Sequence, residues 1–422
     1  MSFQYLGQQS RSTARAKQAT NQDSRLETVD ALRGFALAGL FLVHMLESYE
    51  LYWAAPKADW ISDTIFLLFL GKSFSLLALC FGFSFFILMD RAAKRGVDFT
   101  RRFAWRLGLL FAIGTVHALV YRGDIIQLLA ALGFVLLAAN RIRDNRILLV
   151  MAGFALVGPV LIVQFVAAMA GAAWASAPPN QWVDPAMQAY AYGGFTDYLR
   201  ANLWHGQFPK WWFMIESGRL LAIFGLYLIG MVLGRIGFFS RPQDFTRGRR
   251  IALAVAAVLA PILWLVREPL ATAVIDAGFG EAAARDLRYL LNSWFELAGA
   301  AIWGLLLVAL SQTRARGLLR PFAPMGRLTL TFYIGQSLVF VPLFYAFGLG
   351  LWDDWSPAVR LGVGVAGIAA QMVLAAAWLR HFHYGPLEWV WRAATYRSWT
   401  VPFRRAGQGR PSFEGTTVAV GS

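Results

Sequence analysis

Cysteine is almost absent: Cys80 is the one thiol in 422 residues. A disulfide within the chain needs two thiols and a Cys-based zinc site needs more, so both are excluded. Cys80 lies in an apolar run and reads as a small core residue. Charge is scarce as well. Asp, Glu, Lys and Arg make up 15% of the chain, against roughly 25% in soluble globular proteins, which excludes a soluble enzyme of two or three domains. No phosphate-binding Gly-rich loop, no His-Glu-x-x-His and no Gly-x-Ser-x-Gly occurs, so an ATP-driven pump, a zincin and a lipase-type hydrolase are unsupported. No internal repeat is visible.

What the chain has in abundance is apolar surface: 58% of residues are hydrophobic, with 33 Phe and 17 Trp. A disordered or fibrous class fails on those aromatics. The net charge of +15 fits either a nucleic-acid partner or a membrane protein whose Lys and Arg are held on one side. Apolar runs long enough for ~30 Å of hydrocarbon recur after residue 26. They fall near Ala31–Leu46, Trp60–Met89, Phe103–Val120, Ile125–Ala139, Ile147–Trp174, Ser217–Leu233, Ile251–Val266, Leu290–Leu310, Leu328–Leu349 and Val359–Leu379. The expected fold is therefore all-α: a polytopic membrane helix bundle of about ten transmembrane helices. It occupies one membrane domain, residues 26–400, between polar tails at 1–25 and 401–422 expected to be disordered. The run Trp60–Met89 is long enough to be tilted, or broken near Gly71-Lys72-Ser73, where a glycine and a charge weaken a lipid-facing helix.

Charge placement decides the partner. With the N-terminus inside, 29 of the 39 Lys and Arg fall on inner segments and 8 on outer ones. Lys72 and Arg219 lie within spans. The inner side then carries about +20 and the remainder about −5. This asymmetry predicts an even number of spans with both termini cytoplasmic, and no nucleic-acid partner. The longest outer segment, 175–215, carries Pro178-Pro179, Trp182, Tyr190, Tyr192, Trp204, Trp211 and Trp212. It reads as an interfacial aromatic belt or as a lid over an outward-facing site.

Ionisable groups inside a bilayer are costly and each needs a partner. Arg33 and His44 are eleven residues apart, close to three turns, so they share a helix face with about 16 Å between them along the axis. Asp30 precedes Arg33 by one turn and can pair with it. Such a face puts a fixed cation at the inner edge and a titratable imidazole in the outer half, able to hold an anionic donor and deprotonate an acceptor. His117 and Asp124 flank a short outer turn that can join carboxylate to imidazole, as an orienting group serves a base. Lys72 is expected near mid-bilayer, with Glu296, the most deeply placed acid, as partner for it or for His44. Asn292 is one turn from Glu296. Glu216 and Arg219 read as an intrahelical ion pair. Arg101, Arg102, Arg106, Arg327 and Arg392 are inner cations suited to phosphates or to orientation alone. Gly230-Met-Val-Leu-Gly234 offers a close packing site, within the subunit or in a homodimer.

The motifs Asp30-Ala-Leu-Arg33-Gly-Phe-Ala-Leu, Gly71-Lys72-Ser73-Phe74, Phe81-Gly82-Phe83, Arg101-Arg102, Gly114…His117-Ala118, Gly123-Asp124-Ile125, Gly326-Arg327-Leu-Thr-Leu-Thr and Tyr384-Gly385-Pro386-Leu387-Glu388-Trp389 follow in this order. With them the chain resembles the YeiB family of bacterial inner-membrane proteins, whose C-terminal part is a domain of unknown function. That family is more distantly similar to the transmembrane acyltransferases, in which an Arg, ten intervening residues and a His open the first helix, as Arg33 and His44 do here. The resemblance implies a cytoplasmic acyl-CoA or acetyl-CoA donor and a sugar, lipid or small-molecule acceptor at the outer face, with no metal. His44 would be the base, oriented by Glu296 or Asp124. Lys72 would stabilise the oxyanion, while Arg33, Arg101, Arg102, Arg106 and Arg327 hold the donor. The rival expectation is a transporter or flippase for a small anionic or lipid-linked solute, with Lys72, Glu296 and His44 as a relay. A third is a scaffold or sensor docking through its Trp-rich outer segment.

Overall fold

In the computed structural model, residues 27–176 and 184–405 are described. The tail 1–25, the segment holding Pro178-Pro179 and Trp182, and most of the tail from 401 lie outside them. The described residues are helical, with no β-strand. Each of the ten expected apolar runs forms helix. In chain order the main elements are α1 Glu27–Leu46, α2 Trp60–Phe69, α3 Lys72–Ala93, α4 Thr100–Ala118, α5 Ile126–Ala139, α6 Asn145–Leu156 and α7 Pro159–Met169. After the undescribed gap come α8 Asp184–Tyr192, α9 Phe195–Arg200, α10 Gln207–Glu216, α11 Arg219–Arg235, α12 Thr246–Asp276, α13 Gly280–Leu310, α14 Thr329–Phe344, α15 Pro357–His381 and α16 Pro386–Tyr396.

Expected and observed architecture part company over the span count. Among the described residues six helices are long and apolar enough to cross a membrane, seven if α10 and α11, bent by 68°, act as one. α5 and α14 are shorter apolar helices. The 14 residues of α5 rise only about 21 Å, short of ~30 Å of hydrocarbon. The turn leading into α5 accordingly lies inside protein, with Tyr121, Arg122 and Asp124 buried. Irregular backbone at membrane depth is tolerated where protein covers it. In α4 the cations Arg101, Arg102 and Arg106 dilute the apolar run.

The helix over 60–93 is interrupted at Leu70–Gly71, where Gly71 takes a left-handed φ of +72°, and it continues as one 34-residue stretch. α1 is the axis of the bundle. In its most apolar window 83% of residues are buried inside the protein, against 11% for the stretch ending in α12. It packs tightly on the helical turn Phe322–Arg327. A Cβ on Gly34 would strike the carbonyl of Phe322, and one on Gly326 the carbonyl of Asp30. Backbones this close bring Arg33 and Arg327 together on one cavity wall. Gly230 packs in the same way on the backbone of Leu79 and Phe83, and Gly234 on Phe86, so this small-residue pair joins α11 to α3 within the subunit.

The C-terminal boundary shifts as well. Residues 401–405, expected in the tail, pair with the end of α15. His383 N–H donates to the Phe403 carbonyl (2.9 Å) and Arg405 N–H to that of His381 (2.8 Å). Trp389 Nε1 donates to the Val401 carbonyl (2.9 Å).

Candidate functional site

Two cavities flank the Arg33–His44 face of α1. The inner one, about 400 Å³, is lined by Asp30, Arg33, Arg91, Arg106, Arg327 and Glu388, and beyond them by apolar side chains such as Leu37, Leu77, Leu110 and Leu129. Arg33 donates to Asp30 (3.0 Å) and to the Ser84 hydroxyl. The Arg106 guanidinium lies 3.5 Å from the centroid of the Trp391 ring, and Arg327 reaches the His383 carbonyl (3.4 Å). Of the five expected donor cations, Arg33, Arg106 and Arg327 converge here. Arg101 and Arg102 are absent from the lining; Arg102 stacks on Phe99 and Tyr396. Arg392 likewise stacks on Tyr384 and Tyr396.

The outer cavity, about 500 Å³, is lined by His44, Glu47, Glu50, Tyr121, Arg122, Lys210, Arg219, Asn292 and Glu296 among others. Ile125 lines both cavities, so the two abut there. His44 is buried, and its ring meets those of Tyr121, Tyr49 and Tyr333 at centroid distances of 5.2, 5.3 and 6.4 Å. Tyr333 lines the inner cavity, so one phenol ring backs both chambers.

A left-handed turn directly after α1 shapes the outer wall. Ser48, Tyr49 and Glu50 have φ of +46°, +52° and +81°, conformations that cost L-residues about 1–2 kcal/mol each. Tertiary contacts hold them there. Tyr345 Oη donates to the Tyr49 carbonyl (2.8 Å), Arg360 donates to the Leu46 carbonyl (3.3 Å), and Arg122 pairs with Glu50 (2.6 Å). The turn sets the Tyr49 ring beneath His44 and puts Glu47 and Glu50 on the cavity wall.

His117 and Asp124 meet as the spacing predicts. The carboxylate accepts from Nδ1 at 2.7 Å with both side chains buried, while Nε2 has no hydrogen-bond partner. Asp124 also accepts from Gln127 N–H (3.0 Å), and Lys210 Nζ donates to Gln127 Oε1 (2.6 Å). The dyad stands behind the cavity wall rather than on it: the His117 ring is 5.3 Å from that of Tyr333 and 6.4 Å from that of Tyr121. Asp124 thus orients His117, not His44.

The segment 184–215 packs over this turn. Asn202 Nδ2 donates to the Leu119 carbonyl (2.7 Å), Gln207 Nε2 to that of Ala118 (3.3 Å) and the Tyr198 hydroxyl to that of Val120. These are the orphan carbonyls at the end of α4, satisfied from another element. The same segment lends Met187, Pro209, Lys210, Phe213 and Met214 to the cavity.

Two expected pairings are corrected. Lys72 and Glu296 form no ion pair. Lys72, first residue of α3, turns onto α13 with Nζ 4.2 Å from the Phe295 ring centroid and is absent from the outer lining. Glu296 lines that cavity and accepts from Asn292 Nδ2 (2.9 Å). Glu216 and Arg219 do not share a helix, because the 68° bend at Ser217–Gly218 separates them. Arg219 instead lies over Phe213, 5.2 Å from its centroid. Glu47, Glu50, Arg122 and Lys210 were not among the expected site residues. The one signal for them was a pair of carboxylates within six residues of His44.

Residues 233–398 match the family model "Protein of unknown function (DUF418)". This stretch supplies Glu296, Arg327, Tyr333 and Glu388, whereas Arg33, His44, His117 and Lys210 precede it, so both cavities are built from the two parts jointly. Over 90% of this chain and 97% of the relative, the sequence is 28% identical to "Uncharacterized protein YxaH" of Bacillus subtilis. It is 25% identical to "Uncharacterized 39.9 kDa protein in amylase 3'region" of Bacillus acidopullulyticus, over 89% and 94% of the two chains. A shorter stretch of 76 residues, 18% of this chain and 19% of the relative, is 37% identical to "Uncharacterized protein YeiB" of Escherichia coli. None of these names carries an activity. A helical chain with several helices apolar enough to span a bilayer, a DUF418 region at its C-terminal side and these relatives is a membrane protein similar over most of its length to YxaH and over a shorter stretch to YeiB.

Proposed function

We infer that the protein is an integral membrane acyltransferase that moves an acyl group from a cytoplasmic acyl-CoA to an acceptor at the outer face. One observation carries this reading: a cavity with Arg33 and three further arginines, and a second with His44, lie along one face of α1 and abut at Ile125. The inner arginines suit the donor's phosphates. The apolar passage past Leu37 and Ile125 suits its arm, and the thioester would then reach the His44 end. There the acceptor's O–H or N–H loses its proton to the imidazole as its heteroatom bonds to the thioester carbon. The C–S bond breaks, and the proton passes to the leaving thiolate, giving free CoA and the acylated acceptor. Tyr121 and Tyr333 stand beside that ring and exclude water from it. The finer placement, in the bacterial inner membrane with both termini cytoplasmic, is supported by the distribution of Lys and Arg, 29 inside against 8 outside when all ten apolar runs are counted as spans.

The test is release of free thiol from acetyl- and longer acyl-CoA by the purified full-length protein in nanodiscs. His44→Ala and the better-shaped His44→Gln should each lose at least about a hundredfold in rate with an unchanged thermal midpoint. Undiminished turnover in both would remove His44 from the chemistry. Solute uptake into proteoliposomes without any thiol release would replace the enzyme by a transporter.

A further inference from the structure

Six charged side chains line the outer cavity, and among the described residues only two of them meet in an ion pair. Glu50 and Arg122 form an ion pair. The other four are each fixed by a neutral partner. Glu47 accepts from the Trp53 indole (2.9 Å) and Glu296 from the Asn292 amide (2.9 Å). Lys210 donates to the Gln127 amide oxygen (2.6 Å), and Arg219 stacks on Phe213. Among the described residues no ion pair within 4.0 Å joins either carboxylate to either cation. Glu47 and Lys210 are each only 7% exposed. Burying charge without a counter-charge is expensive, and neutral hydrogen bonds fix geometry without cancelling it. The cavity holds three acids and three bases, so a simple anion or a simple cation would satisfy one pair and leave the other pair uncompensated.

We propose that the outer cavity binds a small zwitterion, with an ammonium against Glu47 and Glu296 and a phosphate against Lys210 and Arg219. An aminoalkyl phosphate of the phosphoethanolamine type, free or carried on a lipid, has that chemistry. Two separate cations match the doubled charge and several oxygens of a phosphate, and Trp53, bonded to Glu47 and also in the lining, offers the ammonium an aromatic face. Its role as acceptor rests on the acyl-transfer reading; its binding does not.

Binding is measured on the full-length protein in a maltoside detergent without acyl-CoA. The ligands are glycerophosphoethanolamine and its halves, glycerol phosphate and ethanolamine. The zwitterion should bind at least about tenfold more tightly than either half. Glu47→Gln and Glu296→Gln should remove the advantage over glycerol phosphate, and Arg219→Gln that over ethanolamine. Nanodiscs containing phosphatidylethanolamine in place of phosphatidylglycerol separate the sources: competition by the lipid shows that the headgroup is lipid-borne, its absence that the ligand is free. Equal affinity for the zwitterion and its halves overturns the proposal, as does binding of neither the free nor the lipid form. If a variant fails to fold, the wild-type ratio of zwitterion to halves still decides. Thiol release without zwitterion binding sinks this proposal and keeps the acyl-transfer reading. Zwitterion binding without thiol release supports this proposal and sinks that reading.

Discussion

The inner and outer cavities are of similar size, about 400 and 500 Å³, yet they handle charge in opposite ways. The inner chamber sets four arginines against two acids, and both acids are already engaged: Asp30 with Arg33, Glu388 with Thr331. Its surplus is positive, in a lining whose other side chains are largely apolar. The outer chamber is balanced in number, but among the described residues four of its charges form no ion pair within 4.0 Å. A surplus of one sign selects an anion and steers it inward. Charges of both signs held apart select a ligand that bridges them. If both act on one reaction, the first is a donor port and the second an acceptor seat, and the boundary at Ile125 is where the contrast can be broken.

The largest expected effect comes from that boundary. Ile125→Trp places an indole between the chambers and should cut acyl transfer by about a hundredfold or more, since small misplacements of reacting groups cost that much. Acyl-CoA and zwitterion binding, each measured alone, should hold within a few-fold. If transfer survives while the variant binds both ligands, the chambers do not communicate through Ile125 and the two-chamber mechanism fails.

A smaller effect should separate the chambers by charge. Arg106→Gln and Arg327→Gln each remove one inner cation and should weaken acyl-CoA binding by roughly tenfold, the scale of a charged hydrogen bond, with zwitterion binding at the outer seat unchanged. Equal losses at both sites would mean that these arginines act on the fold as a whole. Arg106 needs a control because it also stacks on Trp391; Arg106→Lys keeps the charge and should recover part of the loss.

The legibility of this protein from sequence follows the same division. The helices were readable because each apolar run is long and bounded by charge. Arg33 and His44 were readable because one straight helix relates them, so 3.6 residues per turn suffices. His117 and Asp124 are readable because the six residues between them leave few arrangements. What was less legible depends on geometry between elements. A count of about ten spans takes every apolar helix to cross alone, whereas six or seven of the described helices are long and apolar enough to do so, and α5 starts from a buried turn. Depth offers Glu296 as a partner to Lys72 or to His44, but the Lys72 side chain lies on the Phe295 ring. Glu216 and Arg219 were assigned to one helix that bends between them. Lys210 became a site residue only when α10 folded over the α4–α5 turn, a contact between distant segments that no local period encodes.

The smallest effect tests the inner chamber's acid. Glu388 sits at the start of α16 and accepts from both the backbone N–H and the hydroxyl of Thr331 (3.0 and 2.5 Å), tying this amphipathic helix to α14. Burial pushes its carboxyl above the usual carboxylate range, and the Thr331 hydrogen bonds draw it only part of the way back. The folded protein therefore keeps a proton that the unfolded chain has already released. Linkage gives the sign: where the native state binds more protons, stability falls as pH rises. The contribution is complete below the ordinary carboxyl value and is lost as pH climbs through the raised one. Glu388→Gln keeps an oxygen for Thr331 and cannot ionise. Relative to wild type its thermal midpoint should rise with pH across that window, by about 1–2 °C given the size of the chain. The same substitution removes one acid from the inner wall, so acyl-CoA binding at neutral pH should tighten slightly while the outer seat is unaffected. A midpoint difference that stays flat with pH would mean that Glu388 is ionised throughout, leaving the inner chamber closer to balance than the comparison of the two requires.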